Sequence, residues 1–125
     1  MSDSLAVKLY LPIPHKLLSP NVKSHWAAKA KVIKAARAAA KREAGRALDG
    51  RTPPLWGKAS VTAVLFTTSA GRPRDPDNFI ASLKPYFDGI ADAGLVGNDR
   101  NLWPDRPRFE KCLTMPRVEL TVTPE

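Results

Sequence analysis

The chain has 125 residues, 43% apolar and 26% charged, and we expect one domain over residues 1–125 with its own hydrophobic core. Its single cysteine, Cys112, excludes an internal disulfide and a cysteine-rich zinc site, and no apolar run approaches the roughly 18 residues of a membrane span. The first residues have neither the basic nor the long apolar segment of a signal peptide, so we expect a cytoplasmic protein without a membrane or disulfide partner.

The net charge of +8 is unevenly distributed along the chain. Residues 1–51 contain eleven lysines and arginines against three acids, whereas residues 52–125 contain nine of each. A basic half followed by an acid-rich half is typical of a protein that holds a polyanion with one part and processes it with another.

The first half predicts one strand and one long helix. Apolar residues alternate from Leu5 to Leu11, as in a half-buried strand. From about His25 to Leu48 the chain is rich in Ala, Lys and Arg, with an apolar stripe at four-residue spacing from Val32. The basic side chains of this segment fall roughly 140–200° around the helix from the stripe, which predicts a cationic outer face.

The second half predicts a central strand, a helical segment and two final strands. Lys58 to Thr67 has apolar residues on both faces, which favours a central place in a sheet. Asp75-Pro76 is typical of a helix start, and helical periodicity continues to Gly94. Pro85 lies inside that segment, so we expect a kink near residues 81–84 or two abutting helices.

The final strands are expected at about Arg108–Thr114 and Arg117–Thr123. The order β-α-β-α-β-β predicts an α+β fold, a single domain with one mixed β-sheet and two main helices.

The chemistry concentrates around Asp75 and Asp77. Two carboxylates this close repel each other unless a cation lies between them, and oxygen ligands of this kind suit a hard metal such as Mg²⁺. Asn78 could position a carboxylate or a water, Lys84 could stabilise charge on a phosphate, and Asp99 could supply a third carboxylate. The structural alternative is that Asp75 only caps a helix and Asp99 only forms a turn.

Together these residues resemble the RusA family of Holliday junction resolvases. The resemblance is carried by four stretches of the sequence, which are Arg74–Asn78, Lys84–Ile90, Asp92–Gly94 and Asn98–Asp99. It covers nearly the whole chain in outline and is specific only within residues 74–99. Many members place the lysine four residues after the second aspartate, and here the interval is seven, which corresponds to an insertion of three residues.

The resemblance implies a homodimer that cuts four-way DNA junctions by paired symmetric nicks during recombination and repair. By motif position, Asp75, Asp77 and Asp99 correspond to the metal-binding carboxylates and Lys84 to the essential lysine, with Mg²⁺ as cofactor and Mn²⁺ as its substitute. The basic residues expected to contact DNA phosphates are Lys34, Arg37, Lys41, Arg42, Arg46, Arg72 and Arg74.

The sequence is also compatible with two other functions. The chain could be a non-catalytic protein that binds branched DNA and uses its carboxylates only as caps. It could also be a metal nuclease that acts on flaps or other branched DNA.

Overall fold

The structure is a computed structural model that describes residues 6–19, 26–68 and 75–125. Five strands and three α-helices occupy these ranges, in the chain order β1 (Val7–Leu11), α1 (Trp26–Leu48), β2 (Ala59–Thr67), α2 (Pro76–Ser82), α3 (Lys84–Asp92), β3 (Leu102–Pro104), β4 (Arg108–Lys111) and β5 (Arg117–Pro124). Short 3₁₀ turns lie at Lys16–Leu18 and Asp99–Asn101. None of the helices in these ranges is long and apolar enough to cross a membrane.

The strands form one mixed sheet, as the sequence predicts for an α+β fold. The order across the sheet is β1-β5-β2, and β3 and β4 follow one another along the far edge of β2. The pairs β1–β5 and β5–β2 are antiparallel, whereas β3 and β4 both run parallel to β2. The predicted central position of β2 is confirmed, since it has hydrogen-bonded neighbours on both sides.

One face of the sheet forms the core. In β2 every second residue from Ala59 to Leu65 is buried, and the residues between them are only half-buried. The buried strand residues belong to a single apolar cluster with Leu83 and Ile90 of the helical layer. Burying a leucine or isoleucine side chain stabilises the fold by about 1.5–3 kcal/mol, so the helices are held against this face mainly by apolar contact.

Helices α2 and α3 abut at Leu83, which confirms the second of the two arrangements expected around Pro85. Leu83 has φ −89° and ψ −3°, ends α2 and precedes Lys84, the first residue of α3. Pro85 therefore lies in the first turn of α3, where its missing N–H removes no helical hydrogen bond.

Helices α1 and α3 approach each other closely at Gly89. A Cβ atom at this position would lie 2.3 Å from the carbonyl oxygen of Arg37 and 2.8 Å from the Cβ of Ala40. Ala40 and Ala44 are fully buried on the facing side of α1, as the predicted apolar stripe requires. Small residues at the crossing thus fix the position of α3.

The end of the chain differs from the prediction. Three strands follow α3 rather than two, because Leu102–Pro104 pairs with the first residues of β2. A segment of three residues that ends in proline has too short a pattern to predict. The strand expected over Arg108–Thr114 ends at Lys111, and Cys112, which follows it, is half-buried and a free thiol.

Candidate active site

The start of α2 presents two acidic side chains. Asp75 caps the helix, as the sequence predicts: its Oδ1 accepts hydrogen bonds from the backbone N–H groups of Asp77 at 2.9 Å and Asn78 at 3.3 Å. Pro76 follows as the first helical residue, with a φ that suits the position. The cap therefore fixes the backbone of the turn from which Asp77 projects.

Asp77 lies beside a cleft of about 470 Å³ between α2 and the connection from β3 to β4. The cleft is lined by Pro76, Asp77, Ile80, Pro104, Asp105, Arg106 and Pro107. Asp77 is exposed and forms no ion pair within the described ranges. Its carboxylate can therefore be reached by a ligand from solvent.

The side chains of Lys84 and Asp99, which are 15 residues apart in sequence, are in contact. The Nζ of Lys84 donates hydrogen bonds to Oδ1 of Asp88 at 2.7 Å and to Oδ2 of Asp99. The hydrogen bonds to Asp88 and then to Asp99 raise the pKa of the Lys84 ammonium. The bond from Lys84 lowers the pKa of Asp99, although partial burial opposes this. Lys84 therefore remains a charged ammonium, and it lies between the side chains of Asp88 and Asp99.

The segment that carries Asp99 is fixed by local hydrogen bonds. The Oδ1 of Asn98 accepts from the backbone N–H of Arg100 at 3.0 Å, and its carbonyl oxygen accepts from the N–H of Asn101 at 2.9 Å. Just before it, the backbone N–H of Trp56 donates to the carbonyl oxygen of Leu95 at 2.8 Å. Asp99 is thus presented to Lys84 by an ordered turn.

The junction between α2 and α3 lies between Asp77 and Lys84. Seven residues separate Asp77 from Lys84, and the interval contains the last turn of α2 and the junction at Leu83. Lys84 consequently begins a new helix, and its side chain, 59% exposed, still reaches Asp99.

The basic residues expected on α1 are all exposed, but they fall into two groups. The guanidinium of Arg37 donates to Asp92 of α3 through Nε at 2.5 Å and Nη2 at 2.8 Å, and Arg46 pairs in the same way with Glu43 at 2.8 Å. Lys34, Lys41 and Arg42 form no ion pair with any described residue. Arg72 and Arg74 lie outside the described residues.

The hydrogen bond to Asp92 raises the pKa of Arg37 above its already high value. The same bond lowers the pKa of Asp92. Arg37 thus connects α1 to α3, a role that the sequence pattern does not indicate.

Carboxylate oxygens are the donors that Mg²⁺ prefers, so the residue types fit this metal in chemistry. Within the described ranges, however, no group of three or more acidic, histidine or cysteine side chains is arranged to hold a metal ion. The structure brings Asp99 to Lys84 and keeps Asp75 with Asp77 at the start of α2. The three-carboxylate metal site with Asn78 in support remains a prediction.

Two charged residues of this region were not assigned a role from the sequence. Asp88 shares the Lys84 ammonium with Asp99, and its place four residues after Lys84 on one helix face is the signal that predicts such a pair. Arg106 lines the same cleft as Asp77, and this proximity depends on the pairing of β3 with β2, which local patterns do not indicate.

Comparison with known proteins gives a limited result. No family model matches the chain. A protein of Xylella fastidiosa (strain Temecula1), described only as uncharacterized, is 39% identical over 103 residues. The match covers 82% of this chain and 65% of the relative, so the chain spans about two thirds of the length of the protein it matches.

Proposed function

We propose that the protein is a Mg²⁺-dependent endodeoxyribonuclease that cuts branched DNA, with the four-way junction as its preferred substrate. The observation that carries the proposal is the pairing of Lys84 with Asp99. This pair brings together two residues of the proposed site that are 15 positions apart in sequence. The helices that carry Lys84 also present Asp77 beside an open cleft. A protein of this kind would act in the cytoplasm, in contact with the DNA.

The residues have separate tasks in this proposal. Asp75, Asp77 and Asp99 would hold Mg²⁺ (or Mn²⁺), which when bound supplies a nucleophilic water and polarises the scissile phosphate. Lys84, held as an ammonium by Asp88 and Asp99, stabilises the negative charge that develops on the phosphate oxygens. Asp75 additionally caps α2 and so keeps Asp77 at the cleft, with Asn78 beside it in the same turn.

The remaining basic residues would bind the DNA arms. Lys34, Lys41 and Arg42 have no acidic partner among the described residues, so they suit phosphate contacts better than Arg37 and Arg46, which are already paired. Arg72 and Arg74 immediately precede Asp75 in sequence and would hold the strand that is cut. A homodimer would place two such sites around a two-fold symmetric junction.

A cleavage assay tests this function. A labelled synthetic four-way junction is incubated with the protein and Mg²⁺ or with EDTA, in competition with flap and linear duplex DNA. We expect Mg²⁺-dependent paired nicks in the junction and weaker competition by the other two substrates. Preference for the flap would instead indicate a different branched-DNA nuclease, and binding without cleavage would contradict an enzymatic role.

The non-catalytic alternative is supported by one observation, since both hydrogen bonds that the Asp75 side chain accepts from described residues come from the helix it caps. That alternative requires junction binding that is unaffected by Mg²⁺ and no nicked product at any enzyme concentration.

A further inference from the structure

The connection between β3 and β4 forms a rigid wall of the cleft beside Asp77. Asp105 anchors it twice: its backbone N–H donates to the carbonyl oxygen of Val61 at 2.9 Å, and its Oδ2 accepts from the hydroxyl of Thr62 at 3.2 Å. Pro104 and Pro107 flank the anchored pair Asp105-Arg106 and restrict the backbone further. Arg106 is therefore presented at the cleft from a fixed position.

Arg106 is the cationic member of the residues that line this cleft. It is exposed and forms no ion pair with a described residue, although Asp105 precedes it and Asp77 lines the same cleft. Nearby arginines behave differently: Arg108 pairs with Glu110 at 3.4 Å, and Arg117 pairs with Glu119 at 2.6 Å. Among the described arginines from the β3–β4 connection to β5, only Arg106 has a guanidinium without an acidic partner. It is thus available to an external anion.

We propose that the cleft between α2 and the β3–β4 connection receives the DNA strand to be cut, with a backbone phosphate bound by Arg106. This inference rests on the proposed function. A volume of about 470 Å³ falls within the range of about 300–1,000 Å³ that binding clefts occupy. Ile80 and the prolines offer apolar contact to a sugar, the planar guanidinium suits two phosphate oxygens, and Asp77 lies at the same opening.

The two carboxylates that line the cleft explain why a cation is required there. A phosphate entering beside Asp77 and Asp105 meets negative charge, and Arg106 supplies compensating positive charge at the same position. Since Asp105 already accepts a hydrogen bond from Thr62, it serves to hold the connection. Arg106 is accordingly a substrate-positioning residue rather than a catalytic one.

The test measures DNA binding in EDTA, so that it does not depend on a metal-loaded enzyme. Fluorescence anisotropy with a labelled four-way junction is recorded over a series of salt concentrations for the wild type, Arg106→Ala, Arg106→Lys and the control Arg108→Ala. We expect Arg106→Ala to weaken binding about five- to tenfold and to reduce the slope of log K against log salt by about 0.9, the value for one phosphate contact. Arg106→Lys should restore the slope, because the charge is kept, while Arg108→Ala should match the wild type.

Each outcome is decisive. An unchanged slope for Arg106→Ala, or an equal loss in Arg108→Ala, would overturn the assignment of Arg106 while leaving the proposed function intact. Failure of the wild type to bind any DNA would overturn both. If Arg106→Ala has the same thermal midpoint of unfolding as the wild type, its loss of affinity is an effect on binding. If Arg106→Ala is unstable, the test is instead whether Arg106→Lys keeps the affinity and the salt slope of the wild type.

Discussion

The acids of the helical layer fall into two regions with different surroundings. The paired acids, Asp88, Asp92 and Asp99, each accept a hydrogen bond from Lys84 or Arg37. The open acids, Asp75 and Asp77, have no ion pair with a described residue. All five come from one continuous stretch of sequence. The pair of Asp88 with Lys84 is local to α3, whereas the pairs of Asp92 with Arg37 and of Asp99 with Lys84 depend on tertiary packing.

The packing differs because α3 is crossed by the basic helix α1, whereas no described residue forms an ion pair with the acids at the start of α2. Helix α1 crosses α3 at Gly89 and brings Arg37 to Asp92. Helix α2 instead faces the β3–β4 connection across the cleft. Asp88 and Asp92 are each paired with a protein cation, whereas Asp75 and Asp77 keep their capacity for an external one. In the proposed function Asp92 has a structural role, Asp88 positions Lys84, and Asp75 and Asp77 would bind the metal ion together with Asp99, which also contacts Lys84.

A large effect is expected at Lys84. Lys84→Ala removes the ammonium that faces Asp99, and loss of one charge-stabilising donor in a transition state costs about 10²–10³ in rate. Junction binding in EDTA should change little. Single-turnover cleavage with Mg²⁺ measures the effect, with Lys58→Ala as control, because Lys58 contacts the ring of Trp103 and forms no ion pair with a described residue. A loss below about threefold would mean that Lys84 only pairs with acids and takes no part in cleavage.

The helix crossing that pairs Asp92 with Arg37 can be disturbed at Gly89. Gly89→Ala places a Cβ against the backbone of α1, and such overpacking costs about 1–3 kcal/mol of unfolding free energy. Urea unfolding measures the change. The matched control is Gly45→Ala, also in a helix, where a Cβ meets nothing within 4 Å and the replacement should stabilise by about 0.4–1 kcal/mol. Equal effects of the two substitutions would contradict the close approach of the helices.

The distinction between paired and unpaired charges also applies to the basic residues of α1. The double variant Lys34→Ala/Lys41→Ala should reduce the salt slope of junction binding by up to about 1.8, since each phosphate contact contributes about 0.9. Arg37→Ala should reduce it less, because that guanidinium is already bound to Asp92. Anisotropy at a series of salt concentrations makes the comparison. A larger reduction of the salt slope for Arg37→Ala than for the double variant would show that Arg37 binds DNA in spite of its ion pair with Asp92.

A smaller effect is expected in the acid range. The pKa of Asp92 is lower in the folded state than its ordinary value of about 4, because Arg37 hydrogen-bonds its carboxylate. Its contribution to stability is therefore fully present above about pH 4 and is lost as the pH falls through the folded-state pKa. Asp92→Asn should flatten the fall of the unfolding free energy between about pH 4 and pH 2, measured by urea unfolding. Solvent screening keeps the effect modest, and a steeper fall in the variant would contradict this sign.

Much of this fold follows from local sequence signals. The apolar alternation of β2, the stripe on α1 and the Asp75-Pro76 helix start each depend on neighbouring residues, and the structure confirms them. Strand β3 could not be predicted because its three residues become a strand only by pairing with β2. The pairing of Arg37 with Asp92 likewise depends on a helix crossing 55 residues along the chain.

The candidate site likewise has features that local sequence signals predict and one that they do not. The residue types around Asp77 and Lys84 can be recognised as a motif, and the cap at Asp75 has a local cause. The place of Arg106 at the cleft could not be predicted, since it depends on the parallel pairing of β3 and β4 with β2.

The most direct test compares one member of each acidic region in the same assay. Junction cleavage with Mg²⁺ is measured for Asp77→Asn and for Asp92→Asn, with junction binding in EDTA as a check on folding. We expect Asp77→Asn to bind the junction and to produce no detectable nicks, whereas Asp92→Asn should retain Mg²⁺-dependent cleavage. Cleavage by Asp77→Asn at the rate of the wild type would mean that Asp77 does not bind the metal ion.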